Sequence, residues 1–424
     1  MRPARLALAL GLALAAPGLA PAQTTDGAPE ITADHTKFEA LQGPFESGPE
    51  VTEACLSCHT EAASQVHDSI HWTWEFEHPE TGQTLGKRHV INAFCGNVAT
   101  NEPRCTSCHA GYGWEETETF DFASGRNVDC LACHDTTGTY VKWMDRAGHP
   151  IYEPRVIGKK HKPYAQELIT ALGDGRYRHE PPDLAMIARN VGQPRRQNCG
   201  NCHFYGGGGD NVKHGDLSSA LVDPPAHVDV HMSPEGANMV CTDCHTAKGH
   251  EWPGSRYLGT VKDERAPIPG RRRPDVASCD SCHGRQPHDA TTLTGLKLDG
   301  HTDRIACQTC HIPEFARGGV ATKTWWDWST AGRLDENGEP IHEKGPLGRH
   351  TYLSTKGDFA WGRNVEPDYA FWNGVVEYTL LGEDIEPEGV VGINRIHGGP
   401  DDPDSVIYPF KRMRGKQAYD KVHE

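Results

Sequence analysis

Apolar positions in this chain come in short stretches broken by glycine, proline and charge. The longest helix-compatible stretch opens at Thr52, VTEACLSCHTEAASQVHDSIHWTWEF, with Thr52 as its capping residue. His59, His67 and His71 fall at helical spacings within it, and Trp72, Trp74 and Phe76 form an aromatic run suited to packing on a flat group. Two further helices are expected over 164–172 and 182–191, each stopped by a glycine, Gly173 and Gly192. Residues 225–311 read as loop and short helix. Beyond 312 the pattern changes: Trp325, Trp326 and Trp328 read as packing residues, and 350–380 as short strands or aromatic loops. The expected fold is mainly α with extensive irregular structure.

Composition makes that pattern a problem. Only 36% of the 424 residues are apolar, and there are 46 glycines and 30 prolines. Such a chain makes a poor core for its length. A leader adds nothing to the core: Arg2 and Arg5 precede an apolar run over 6–16, too short to span a bilayer, and Ala20, Pro21 and Ala22 resemble a cleavage site. Residues 1–22 are therefore expected to be an export signal, with 23–51 as a polar segment wrapping the surface. No other stretch approaches membrane length, and export of this kind places the protein in the periplasm. The net charge of −16 excludes nucleic acid as a natural partner. Local basic groups, Lys159 to Lys162, Arg195 with Arg196, and Arg271 to Arg273, read as solvated loops or carboxylate partners.

The cysteines change the picture most. Seven Cys-x-x-Cys-His units occupy 55–59, 105–109, 130–134, 199–203, 241–245, 279–283 and 307–311, using 14 of 15 cysteines. Zinc sites and disulfide frameworks give no reason for a histidine directly after every second cysteine. Covalent c-type haem does: two thiols bond the porphyrin and the adjacent histidine faces the iron. The attachment pairs are Cys55 and Cys58, Cys105 and Cys108, Cys130 and Cys133, Cys199 and Cys202, Cys241 and Cys244, Cys279 and Cys282, and Cys307 and Cys310. The proximal ligands are His59, His109, His134, His203, His245, His283 and His311. Seven porphyrins also supply the missing core, so 52–311 reads as a haem-packed domain and 312–424 as a haem-free region.

With 25 histidines in all, most haems can find a second imidazole, which closes the iron and suits electron transfer. The candidates are His71, His89, His214, His227, His231, His250, His288, His301 and His397. Reactivity points to the stretch 95–142. It holds two haem motifs, Lys142 and the only cysteine outside a motif, Cys95. A thiol beside a reactive haem can engage a sulfur substrate. Asp129 and Asp135 flank the third motif and are candidate proton carriers.

The segments NEPRCTSCHAGYGW, CHDTTGTY, NCGNCHFYGGGGDNVKHGDL and ACQTCHIPEFA, in this order, resemble the octahaem tetrathionate reductase family of periplasmic cytochromes c, from about residue 40 to the end. The resemblance implies a reductase of small sulfur and nitrogen oxyanions such as tetrathionate, nitrite and hydroxylamine. It implies eight haems, one of them lysine-ligated, calcium near the active site, and electrons from a quinol-linked or periplasmic cytochrome donor. Lys142 is the lysine that fits best, with Lys160 and Lys162 next. Seven motifs stand here against the family's eight, so the chain is expected to end before an eighth. The alternative reading is a pure electron-transfer cytochrome with every haem bis-histidine ligated.

Overall fold

Two thiols three residues apart project from one side only when the backbone makes a helical turn. Each motif accordingly lies on a short helix. These are Gly48–Leu56, which carries Cys55; Glu102–Cys105 followed by a 3-10 turn Thr106–Cys108; Leu131–His134; Arg196–His203; Cys241–Cys244; Cys279–His283; and Cys307–His311. The computed structural model describes residues 33–91, 98, 101–160, 164–205, 209–212, 217–252, 255, 257–258, 261–262 and 276–422. Asp34–Glu424 forms one unit.

The expectation of a mainly α fold is overturned. Among the described residues there are eleven α-helices, none longer than nine residues, and sixteen strands, with much irregular chain between them. The helix expected from Thr52 is three pieces, Gly48–Leu56, Ala62–His67 and Ile70–Thr73, the last ended by Trp74 in the left-handed region (φ 53°). Thr52 does not cap it. It lies inside the first piece, and its hydroxyl donates to the Val128 carbonyl at 2.6 Å. The segment 164–172 is a 3-10 turn and then a strand, Ile169–Ala171. Its β-branched residues pair with Tyr177–His179, which also pairs with Arg155–Ile157. Gly173 and Gly175, both at positive φ, reverse the chain between the two strands rather than stopping a helix. The helix expected over 182–191 is present as Leu184–Arg189, where the Asp183 carboxylate accepts from Met186 N.

Two apolar clusters hold the haem-bearing half. Leu41, Val51, Tyr112, Leu131, Tyr140, Leu184 and Ile187 join the helices Gly48–Leu56, Leu131–His134 and Leu184–Arg189 around motif three. Trp72, Trp114, Phe120 and Val128 form the second, beside motif two. The C-terminal region holds two two-stranded sheets, Asp368–Trp372 with Val406–Phe410 and Val376–Tyr378 with Asn394–Ile396, and a five-stranded sheet in the order Arg414–Lys416, Thr322–Asp327, Gly357–Gly362, His350–Leu353, His342–Lys344. In the five-stranded sheet only the first pair is parallel.

Trp326 anchors this sheet. It is fully buried with Phe359 and Val212, stacks on Trp328 at 4.7 Å, and donates through Nε1 to Lys356 O at 2.7 Å. Val212 lies shortly after motif four, so the tryptophan ties the sheet to the haem-bearing half. Trp326→Ala should cost about 3–5 kcal/mol, as expected for a large aromatic removed from a packed core. Denaturant unfolding followed by far-UV circular dichroism measures it.

Candidate haem and active sites

Motifs distant in sequence meet in space. The thiol of Cys55 lies beside that of Cys130, Cys108 beside Cys202, Cys199 beside Cys241, and Cys279 beside Cys307. Motif one is thus beside three, two beside four, four beside five, and six beside seven. The thiol of Cys108 in motif two thus meets motif four, not its sequence neighbour, motif three.

The histidines show whether haem iron fits. Five motif imidazoles each face a second imidazole at nearly one distance. His59 faces His35 at 6.2 Å, His203 faces His71 at 6.2 Å, and His134 faces His250 at 6.1 Å. His283 faces His231 at 6.1 Å and His311 faces His288 at 6.2 Å. Two imidazoles bound to opposite sides of one metal, each at a metal–nitrogen distance of about 2 Å, put their ring centres about 6 Å apart. The other ring nitrogens agree. His134 Nδ1 donates to Gly192 O, His250 Nδ1 to Gln65 Oε1 and His288 Nδ1 to Asp299 Oδ1, each at 2.8 Å. Such bonds fix the tautomer and leave Nε2 to the metal. Burial lowers the pKa of His71, His134 and His250, favouring the neutral form that ligates. These residues fit haem iron with two imidazoles.

His109 is different. Its Nε2 bonds the Trp72 carbonyl at 2.7 Å, so the nitrogen a motif histidine offers to iron is already committed. The ring is buried among Trp72, Trp74, Trp114 and Phe120, at centroid distances of 4.7–5.8 Å. Burial, and then the charge of Lys142, drives its pKa down to about 3. A haem on Cys105 and Cys108 would therefore lack the pair of facing imidazoles that the five others offer.

Beside it lies a buried polar cluster. Asp129 Oδ1 accepts from the Tyr112 hydroxyl at 2.7 Å, and Oδ2 accepts from the Tyr140 hydroxyl at 2.9 Å and pairs with Lys142 Nζ at 3.1 Å. Burial, and then the Asp129 charge, raises both tyrosines well above their usual range, so they stay protonated donors. Lys142 Nζ also donates to the carbonyls of His109 and Gly111. The structure thus brings Lys142, Asp129 and motif two together. Three oxygen acceptors are the surroundings of an ammonium, and an amine that binds iron needs its lone pair free. Gly148 makes the close approach possible. It sits at φ +91°, and a Cβ there would collide with Gly111 O.

Other expected residues separate from the chemistry. Asp135 accepts from Thr137 N, the Thr137 hydroxyl, Gly138 N and Tyr140 N, so it organises a loop and has no oxygen left for a proton relay. His89 and His397 direct Nε2 at the carboxylates of Glu75 and Glu377, at 2.9 and 3.0 Å. Among the described residues His227 and His301 face no motif imidazole, and neither does His245. Lys160 stands over the Tyr177 ring at 5.7 Å. Cys95, Lys162 and His214 lie outside the described residues, as does the leader. Among the described residues no group of three His, Cys, Asp or Glu side chains is placed to hold a calcium ion. Sequence reasoning missed His35, placing it in a segment read as surface wrapping; its signal is that no other histidine precedes the first motif.

Known proteins give the same picture. The family model described as cytochrome c554 and c-prime matches residues 54–135, and the one described as bacterial cytochrome c matches 323–424. A crystal structure of octahaem cytochrome c from Shewanella oneidensis is similar at 40% identity and a TM-score of 0.73, covering 92% of this chain and 77% of that one. The chain belongs to the octahaem cytochrome c family. A protein of Archaeoglobus fulgidus, named only as uncharacterized, is 25% identical over 269 residues, 54% of this chain and 84% of that one. Within the octahaem cytochrome c family this chain is a multihaem cytochrome c, and no helix among its described residues is long and apolar enough to cross a membrane.

The ring planes of the facing imidazoles fall in two groups. They are near parallel for His35 with His59 (20°) and His288 with His311 (16°). They are steeply crossed for His71 with His203 (73°), His134 with His250 (73°) and His231 with His283 (67°). Parallel planes act on one iron d orbital and split the π set; crossed planes leave it nearly degenerate. Low-temperature electron paramagnetic resonance should therefore show two rhombic low-spin haems and three strongly anisotropic ones. His35→Ala should remove one rhombic signal, whereas His89→Ala and His397→Ala should leave the spectrum unchanged.

Proposed function

We propose that this protein is an exported multihaem reductase carrying seven haems, and that it delivers electrons to small sulfur and nitrogen oxyanions at the haem on Cys105 and Cys108. One observation carries the reading: His109 Nε2 is spent on the Trp72 carbonyl, while five other motif histidines face a second imidazole. His245 of motif five also faces no second imidazole among the described residues, but it is His109 whose Nε2 is taken by a carbonyl, and a carrier has no use for a haem so deprived; a reductase needs one. The basic and apolar pattern of residues 1–22 supports a periplasmic location, with a cytochrome or quinol-linked donor.

The haems would supply electron storage and transfer, and the protein supplies ligands, exclusion of water and charge. The packed aromatic box of Trp72, Trp74, Trp114 and Phe120 keeps His109 in place and dry. Lys142 holds the turn after motif two through the His109 and Gly111 carbonyls, giving a fixed positive charge beside the site. Asp129 balances that charge and orders Tyr112 and Tyr140. This role for Lys142 replaces that of iron ligand.

Nitrite, hydroxylamine and tetrathionate, each added to the viologen-reduced protein, test the reading. At least one should be consumed, and nitrite or hydroxylamine should perturb the spectrum of a single haem. Lys142→Arg keeps the charge and should retain most of the turnover; Lys142→Met should lose it at least tenfold. Absence of turnover with all three substrates, together with unperturbed spectra, would establish the electron carrier instead.

A further inference from the structure

The Lys142–Asp129 pair has a direction. Its cation is bonded to motif two, through the carbonyls of His109 and Gly111. Its carboxylate is bonded to motif three: Asp129 directly precedes Cys130, and its Oδ1 accepts from Ala132 N, inside the motif, at 3.1 Å. Both side chains are shut away from water, Lys142 being 8% exposed and Asp129 0%. Solvent therefore screens the pair weakly, and its field persists over the few ångströms to either attachment site. Tyr112 and Tyr140 add donors to the carboxylate and none to the lysine, which fixes the negative end toward motif three.

We infer that this buried ion pair is an oriented dipole that sets the reduction potentials of two neighbouring haems apart, raising that of the haem on Cys105 and Cys108 and lowering that of the haem on Cys130 and Cys133. Reduction adds one negative charge to a haem. A fixed cation stabilises that charge and a fixed carboxylate opposes it, so the bias favours an electron residing at motif two. Lys142 and Asp129 are thus positioning residues acting on potential. The inference requires a multihaem cytochrome and not the proposed substrates, so it can fail or survive independently of turnover.

Potentiometric titration of the fully haem-loaded protein, followed by visible and electron paramagnetic resonance spectra, tests it. The double substitution Asp129→Asn with Lys142→Met removes both charges at similar volume, a change that buried pairs commonly tolerate. It should lower the potential of one of the two haems outside the five imidazole pairs, that on Cys105 and Cys108, and raise that of one strongly anisotropic haem, narrowing the gap between them. The remaining haems should hold their potentials. Lys142→Arg, which keeps the charge, should keep the gap. An unchanged or widened gap in the double variant, or both haems moving together in one direction, would overturn the inference. Should the double variant load haem incompletely, Asp129→Asn alone decides: its asparagine still accepts from Ala132 N, and the anisotropic haem must rise in potential.

Discussion

Everything in this molecule depends on pairs of imidazoles held about 6 Å apart, one from a haem motif and one from elsewhere. The partners lie from 23 residues apart, for His288 and His311, to 132, for His71 and His203. His71 answers His203, and His250 answers His134, so each pair closes a long loop. The protein invests little in regular secondary structure because these closures, together with the meeting of thiols from different motifs, fix the path of the backbone. Helices need only be long enough to present two thiols on one side. The apolar clusters are correspondingly small and local, and the largest sheet lies in the region without motifs.

Against that repeated arrangement the second motif stands out. Its helix and thiols are ordinary, but its histidine has been drawn into an aromatic box and its far nitrogen given to a carbonyl. The same corner holds the Lys142–Asp129 pair, two tyrosine hydroxyls and the close glycine approach of Gly111 and Gly148. Burying a charge is costly unless it is paired and hydrogen-bonded, and here both members are. A fold this polar has placed its most demanding electrostatics between two haem attachments, which is where a charge acts most strongly on electron affinity.

The haem motifs were legible in the sequence because their chemistry is local: five consecutive positions contain the whole instruction. The second ligands were partly legible. His71, His231, His250 and His288 stand where a ligand was expected, yet which motif each serves depends on three-dimensional closure that spacing does not encode. His35 was missed for want of any pattern around it. His89 and His397 looked equivalent to the histidines that face a motif imidazole until Glu75 and Glu377 appeared beside them. Lys142 and Asp129 were found beside motif two; the role proposed for the lysine rests on the three oxygens around its Nζ, which spacing does not encode. The mainly α expectation failed for another reason. Helical spacing around 52–76 was real but interrupted, and the aromatic-rich C-terminal region had no periodicity strong enough to announce a five-stranded sheet.

The central claim is that the seven motifs each carry covalent haem and that the fold is built around them. Intact-mass spectrometry of the purified, acid-denatured protein tests this directly, since thioether-bound haem survives denaturation. The account predicts a single species heavier than the mature polypeptide by seven haems. A mass equal to the bare polypeptide, or to the polypeptide with fewer haems on a protein that is otherwise fully folded, would contradict it.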